Sequence, residues 1–334
     1  MKLFPGRNIY ALVLVVATID IALVVISPTL YVNLTQLIYR ICVLVPLVVA
    51  VVVASRARYS SERISSIARG ACNLLQGLLF AQVAWLSLRV LGHVTMTPSL
   101  PYTDDMLASW DSYLGLDWLG YFDLLRQSSS VLLHYLHVSY HVFGPVLVIS
   151  FALLAMSSDQ RRARYLLETS LVTAFLSIVI GMFFPARGAM AYHVVDQAVV
   201  IPEFVRLPGL YAVDAMANVR GNSPLLLDLD LVPGLVCFPS FHTAGAIIIV
   251  VCFWRTALFL PALLFSAGMI ASIPVYGGHY FVDMLSGIAL AIAVLAAFAA
   301  LPYYRGVFSR AAQSGYWLPF PVARRPTAAV TIEA

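Results

Sequence analysis

HYFVDMLSGIALAIAVLAAFAAL, residues 279–301, decides what kind of protein this is. From Phe281 onward only Asp283 carries a charge, and the run is long enough to cross a bilayer core of ~30 Å as α-helix. Comparable apolar runs recur along the chain, at about 9–28, 37–54, 71–91, 131–155, 165–184, 240–257 and 258–275. The 334 residues are 61% hydrophobic and 11% charged, where soluble domains carry about 25% charge. The period-2 alternation of a membrane β-barrel is absent. The first run is too long for a signal peptide and lacks a small-residue cleavage site, so it counts as a span. The expectation is an all-α polytopic membrane protein with about eight transmembrane helices.

Basic residues set its orientation. Lys2 and Arg7 precede the first span, Arg56, Arg58, Arg63 and Arg69 follow the second, and Arg161, Arg162 and Arg164 follow the fourth. Arg255 separates the sixth and seventh, and Arg305, Arg310, Arg324 and Arg325 follow the eighth. All fall on one side, assigned to the cytoplasm, which leaves the long loops 92–130 and 185–239 outside. The net charge of +4 therefore reports topology and implies no nucleic-acid partner. Of the four cysteines only Cys237 lies near the outer face, so no disulfide framework is expected. No internal repeat suggests a transporter built from two halves. Three parts are expected: N-terminal helices with an outer amphipathic loop (1–130), a catalytic membrane core (131–304) and a disordered cytoplasmic tail (305–334).

With this topology all seven histidines lie in the outer half, which points to a shared polar cavity. If the last span starts near His279, then His279 and Asp283 are i and i+4 on one helix face, within hydrogen-bonding reach. A carboxylate there keeps one ring nitrogen protonated and frees the other as nucleophile or base; the plain alternative is a chance polar pair at a helix start. In CFPSFHTAGA, residues 237–246, Pro239 and Ser240 read as a helix start with Ser240 as cap. The free N–H groups of such a terminus suit a phosphate, and His242 sits in the first turn. FFPARGAMAYH, residues 183–193, puts Arg187 just beyond the fifth span. It can grip phosphate through two parallel bonds, or it can be a snorkelling anchor.

The order of these parts resembles the type-2 phosphatidic acid phosphatase superfamily, whose motifs are approximately K-x6-R-P, P-S-G-H and S-R-x5-H-x3-D. Here the second is Pro239-Ser240-Phe241-His242, and the third is Ser272-Ile273, five residues, His279, three residues, Asp283. The resemblance covers about residues 165–301 and implies a six-helix phosphatase-like core with an outer-face active site. The chain departs from the motifs where Ile180 replaces the lysine, Gly188 the proline after Arg187, and Ile273 the arginine. Phe238–His242 and His279–Asp283 resemble the F-P-S-x-H and H-Y-x-x-D of the inositol-phosphorylceramide synthase branch. Fewer cations suit a singly charged phosphodiester, or transfer between alcohols, better than a phosphomonoester.

The resemblance implies roles residue by residue. His279 attacks phosphorus and becomes phosphohistidine, Asp283 orients it, and His242 protonates the leaving alkoxide and later activates an alcohol or water. Arg187 and Ser240 hold the phosphate oxygens, with His141 and Tyr192 completing the expected substrate-binding set. The family requires no metal or other cofactor. The expected partners are a membrane lipid and an alcohol or water acceptor, with oligomeric state open.

Two features read less sharply. His134, His137 and His141 form one helical stripe, for which headgroup contact or packing outweighs a metal site. Residues 103–127 alternate acids with Trp, Leu and Tyr and read as a helix lying on the outer leaflet, an anchor ahead of a lid. The expected function is a lipid phosphotransferase or phosphatase at the outer face of a bacterial inner membrane or a Golgi-type membrane. The alternatives are a lipid-phosphate or isoprenyl-diphosphate phosphatase and, in another class, a non-catalytic transporter or receptor for anionic headgroups.

Overall fold

The computed structural model describes residues 6–27, 29–56, 62–97, 100–157, 160–195, 209–210, 212–221, 223–229 and 233–308. The expectations for Lys2, Arg58 and the tail past 308 lie outside the described residues. Twelve α-helices are present among those described: α1 (Arg7–Ile26), α2 (Leu34–Arg56), α3 (Glu62–Val94), α4 (Asp104–Tyr113), α5 (Trp118–Arg126), α6 (Ser130–His141), α7 (Phe143–Met156), α8 (Gln160–Gly181), α9 (Val213–Arg220), α10 (Phe241–Cys252), α11 (Phe259–Tyr276) and α12 (Phe281–Ala300). Two short strands, β1 (Leu30–Val32) and β2 (Leu225–Leu227), pair in parallel, with Leu30 opposite Leu225.

Each expected span coincides with a helix, but the helices are not eight equal crossings. Six (α1, α2, α3, α8, α11, α12) are long and apolar enough to cross a membrane by themselves. The span expected at 131–155 is broken: α6 and α7 meet at 62°. Pro145 explains the break, because it lacks the N–H that would bond to the carbonyl of His141 and its ring crowds that carbonyl. At 12 residues α10 is about 18 Å long, too short to cross a ~30 Å core without its flanking turns.

The long helix α3 joins the two halves, packing on α1 and α2 and also on α7 and α8. Around α10 are gathered α8, α11 and α12, and α6 lies along α11. α1 and α2 expose Leu14, Ile21, Val25, Ile38, Tyr39 and Val53; a soluble protein would bury so large an apolar surface, whereas hydrocarbon accepts it. β1 and β2 tie the segment after α1 to the segment before α10, and Gln36 Nε2 adds a hydrogen bond to Asp228 at 2.7 Å. Thr103 N–H donates to the Pro185 carbonyl at 2.8 Å. The segments after α1, α3 and α8 thus meet at one end of the bundle, where the His279 turn also lies.

Candidate active site

His279 sits in the turn before α12, not on the helix. Tyr280 is the N-cap residue, and Asp283, at the third helical position, reaches back to accept from the Tyr280 backbone N–H at 2.9 Å. The same oxygen, Oδ2, faces His279 Nδ1 at 3.1 Å. The expected pairing is therefore made by a capping carboxylate, and the i, i+4 helix face invoked from spacing is not what makes it. With Nδ1 as donor to the carboxylate, Nε2 carries the ring's lone pair. Asp283 is fully buried and His279 is 3% exposed.

α4 and α5 hold this turn in place through one buried face, while Tyr113, Leu114 and Leu124 stay exposed. Asp104, Leu107, Ala108 and Asp111 lie at i, i+3, i+4 and i+7, and this face is buried against the protein. Asp111 accepts from the N–H of Phe281 at 2.9 Å and of Val282 at 2.8 Å, so a side chain 170 residues away caps α12. Burial pushes its carboxyl up to about 6; the two N–H bonds pull against this and the charge of Asp283 adds to it. Trp118 Nε1 donates to the His279 carbonyl at 3.1 Å, and its indole stacks on His193 at 5.3 Å. Tyr121 donates to the Ala271 carbonyl at 2.5 Å, which seats α5 on α11.

Asp104 organises the loop that carries Arg187. Its Oδ2 accepts from Arg187 N–H and its Oδ1 from Gly188 N–H, each at 3.0 Å, and the Tyr280 hydroxyl donates to Oδ1 at 2.9 Å. The Arg187 guanidinium lies 3.9 Å from the same carboxylate and over the Tyr102 ring. Gly188 has φ 96°, and a Cβ there would come 2.5 Å from the Gly278 carbonyl oxygen. The proline expected at 188 could supply neither that φ nor the N–H. Ala189 N–H closes the junction by donating to the Gly278 carbonyl at 2.6 Å. The Arg187 backbone is thus locked to the His279 turn.

His242 enters from α10. Ser240 Oγ accepts from Thr243 N–H at 3.4 Å, as a capping serine does, and Ser240 N–H donates to the Asp283 carbonyl at 2.9 Å. Gly287 lets α12 approach, since a Cβ there would meet the Ser240 carbonyl oxygen at 2.4 Å. The Ser240 side chain is fully buried in these contacts. The His242 ring stacks on Tyr140 at 4.9 Å and lies 5.0 Å from Phe143, within electrostatic range of His279 and His141. His141 is exposed at the end of α6, with Nδ1 2.9 Å from the His137 carbonyl. Tyr192 donates to Asp105 at 2.8 Å and its ring lies 6.3 Å from that of Tyr280. His279, Asp283, Ser240 and His242 are therefore drawn together, Arg187 and Tyr192 flank them through Asp104, Asp105 and Tyr280, and His141 lies beyond Tyr140.

Sequence reasoning missed four supports, Asp104, Asp111, Trp118 and Cys237. The i, i+3, i+4, i+7 pattern of Asp104–Asp111 was a legible signal for the first two. Cys237 carried none. Its Sγ donates to Asp283 Oδ2 at 3.0 Å, and burial with the Asp283 charge holds the thiol well above its ordinary range, protonated as a donor requires. Ile273, at the arginine position of the third motif, is fully buried in α11.

No curated protein and no solved structure matches the chain. A family model described as the PAP2 superfamily does match, over residues 105–297. That stretch takes in α4 and α5 as well as the helices bearing His242 and Asp283. A match over more than half of the 334 residues, together with a helical bundle that carries apolar spans, means that the chain belongs to the PAP2 superfamily.

Proposed function

We propose that the protein moves a phosphoryl group from a membrane lipid phosphoester to an alcohol or water at the outer face, through a phosphohistidine at His279. Superfamily membership supports a phosphatase or phosphotransferase; the roles of individual residues are our reading. The observation that carries it is the 3.1 Å contact between His279 Nδ1 and Asp283 Oδ2 in a buried turn. His279 Nε2 forms the bond to phosphorus as the bond to the leaving oxygen breaks, and His242 gives that oxygen its proton. In the second half His242 takes the proton of the incoming hydroxyl, the new P–O bond forms and the P–N bond breaks. Arg187 holds phosphate oxygens, Ser240 fixes the α10 terminus at which they sit, and His141 and Tyr192 border the headgroup.

The finer reading is a transferase resembling inositol-phosphorylceramide synthase. Charge supports it: Asp104 and Asp111 are both buried around the His279 turn, while Ile180 and Ile273 stand where the family's cations are expected. A surplus of carboxylates disfavours a dianionic phosphomonoester more than a monoanionic diester. The test is to incubate purified protein with a headgroup-labelled phosphodiester lipid and a lipid alcohol, in the presence of EDTA. Label on the alcohol supports transfer, and label released to water supports hydrolysis. Lipid bound with no turnover would replace the enzyme reading with that of a headgroup receptor.

A further inference from the structure

Cys237 has no part in the chemistry proposed above, yet it borders both halves of the catalytic pair. Its Sγ lies 3.0 Å from Asp283 Oδ2 and 3.5 Å from His279 Nδ1, and those two atoms are 3.1 Å apart. Among the described residues, this is the one group of His, Cys, Asp or Glu whose ligand atoms could share an ion; the 134–141 histidine stripe does not form one. The triangle has the size of a cation site. A tetrahedral zinc, with Zn–S of about 2.3 Å and Zn–N or Zn–O of about 2.0–2.1 Å, sets ligand edges of roughly 3.3–3.6 Å. The edges here come within about half an ångström of that. A second observation points the same way: Asp283 Oδ1 is buried with no hydrogen-bond partner among the described residues. Buried carboxylate oxygens normally have one.

We propose that Cys237, His279 and Asp283 bind a thiophilic divalent cation of the zinc class, and that the bound ion switches the site off. Binding releases the Cys237 thiol proton to solvent, while the His279 ring stays neutral and its proton moves from Nδ1 to Nε2. The thiolate and the carboxylate then balance the cation's two charges, so the buried site is left with no net charge. Three protein ligands leave the fourth position for water or a phosphate oxygen. With Nδ1 coordinated, Asp283 no longer orients a ring proton, and Nε2, now protonated, has no lone pair to offer phosphorus. The switching-off rests on His279 being the nucleophile; the binding does not.

The experiment titrates the metal-free, purified full-length protein with Cd²⁺, following the thiolate-to-cadmium charge-transfer absorption, and with Zn²⁺ by calorimetry. One equivalent should bind. Cys237→Ser should abolish the absorption and weaken Zn²⁺ at least about tenfold, as loss of a ligand does. Replacing Cys42, Cys72 and Cys252 together by serine should leave the absorption intact. His279→Ala should weaken Zn²⁺ too, and it serves as the deciding variant if Cys237→Ser fails to fold. No absorption in the wild type, absorption surviving in Cys237→Ser, or absorption lost in the triple variant would overturn the site. Cation binding by a protein that turns over no lipid would leave the metal site standing and remove the phosphohistidine reading. Turnover without cation binding would do the reverse.

Discussion

Trp118 donates its indole N–H to the main-chain carbonyl of His279, 161 residues away, at 3.1 Å. The bond fixes the peptide that carries the proposed nucleophile, from a helix that bears none of the motif residues. A buried acceptor left without its donor costs about 1–3 kcal/mol.

Trp118→Phe keeps a ring to stack on His193 and removes the donor. Turnover of a labelled lipid should fall roughly tenfold, in line with a loss of about 1.4 kcal/mol, with folded protein recovered in ordinary yield. Unchanged turnover would mean that the turn holds itself.

The pair makes sharper demands. His279→Ala should abolish turnover, and Asp283→Asn should lower it by up to about 10⁴, the cost of misdirecting an imidazole by the same change in a serine–histidine–aspartate site. An activated aryl phosphodiester needs no leaving-group acid, so it should label His242→Ala and fail to label His279→Ala. The opposite labelling pattern would exchange the two histidine roles.

Asp111 should report pH. Its folded carboxyl titrates at about 6, above the ordinary value of 3.8, because burial disfavours the charge. A raised carboxyl pKa means the folded state holds the proton more tightly. The stabilisation is therefore full below the unfolded value and is lost as pH rises through about 6. The span amounts to at most roughly 3 kcal/mol. Thermal melts in detergent should show the wild type losing stability relative to Asp111→Asn between pH 4 and 7, and a difference that stays flat across that window would refute the assignment.

Sidedness can be read with fusions. A reporter placed in the connection at 157–160 should face the cytoplasm, and one after Asp214 should face outside, because the arginine bias puts these segments on opposite sides. If both report the same side, the site is not assembled on the outer face.

Activity should survive EDTA, since the proposed chemistry uses a covalent histidine and no metal ion. Loss of activity on chelation, restored by zinc, would assign the metal a catalytic task and count against the inhibitory site at Cys237.

Much of the architecture was legible along the chain, because a bilayer makes one demand that sequence states openly: runs of apolar residues long enough to satisfy their own backbone. The helices lie where those runs lie, and Ser240 caps α10 as its position before an apolar run implies. The spacing of His279 and Asp283 likewise brought the pair within reach, although the helix begins at Phe281 and the contact runs through a cap. The bend between α6 and α7 could have been read from Pro145, but the length of the apolar run concealed it.

What the sequence by itself determined were the helices, their apolar faces and the local caps, which depend on residues a few positions apart. What only the tertiary structure decided was the fate of the acids in 103–127. Read locally, Asp104 and Asp111 belong in water, since a lone carboxylate is costly to bury. They turn inward because α12 and the Arg187 loop bring N–H groups with no local partner, from 170 residues away for Phe281 and 84 for Gly188. Cys237 is the same case, its thiol meeting Asp283 only once α10 and α12 pack. A hydrogen bond between distant segments exists only after the chain has folded, so the spacing of Asp104 and Asp111 can mark an inward face but not the partners that it meets.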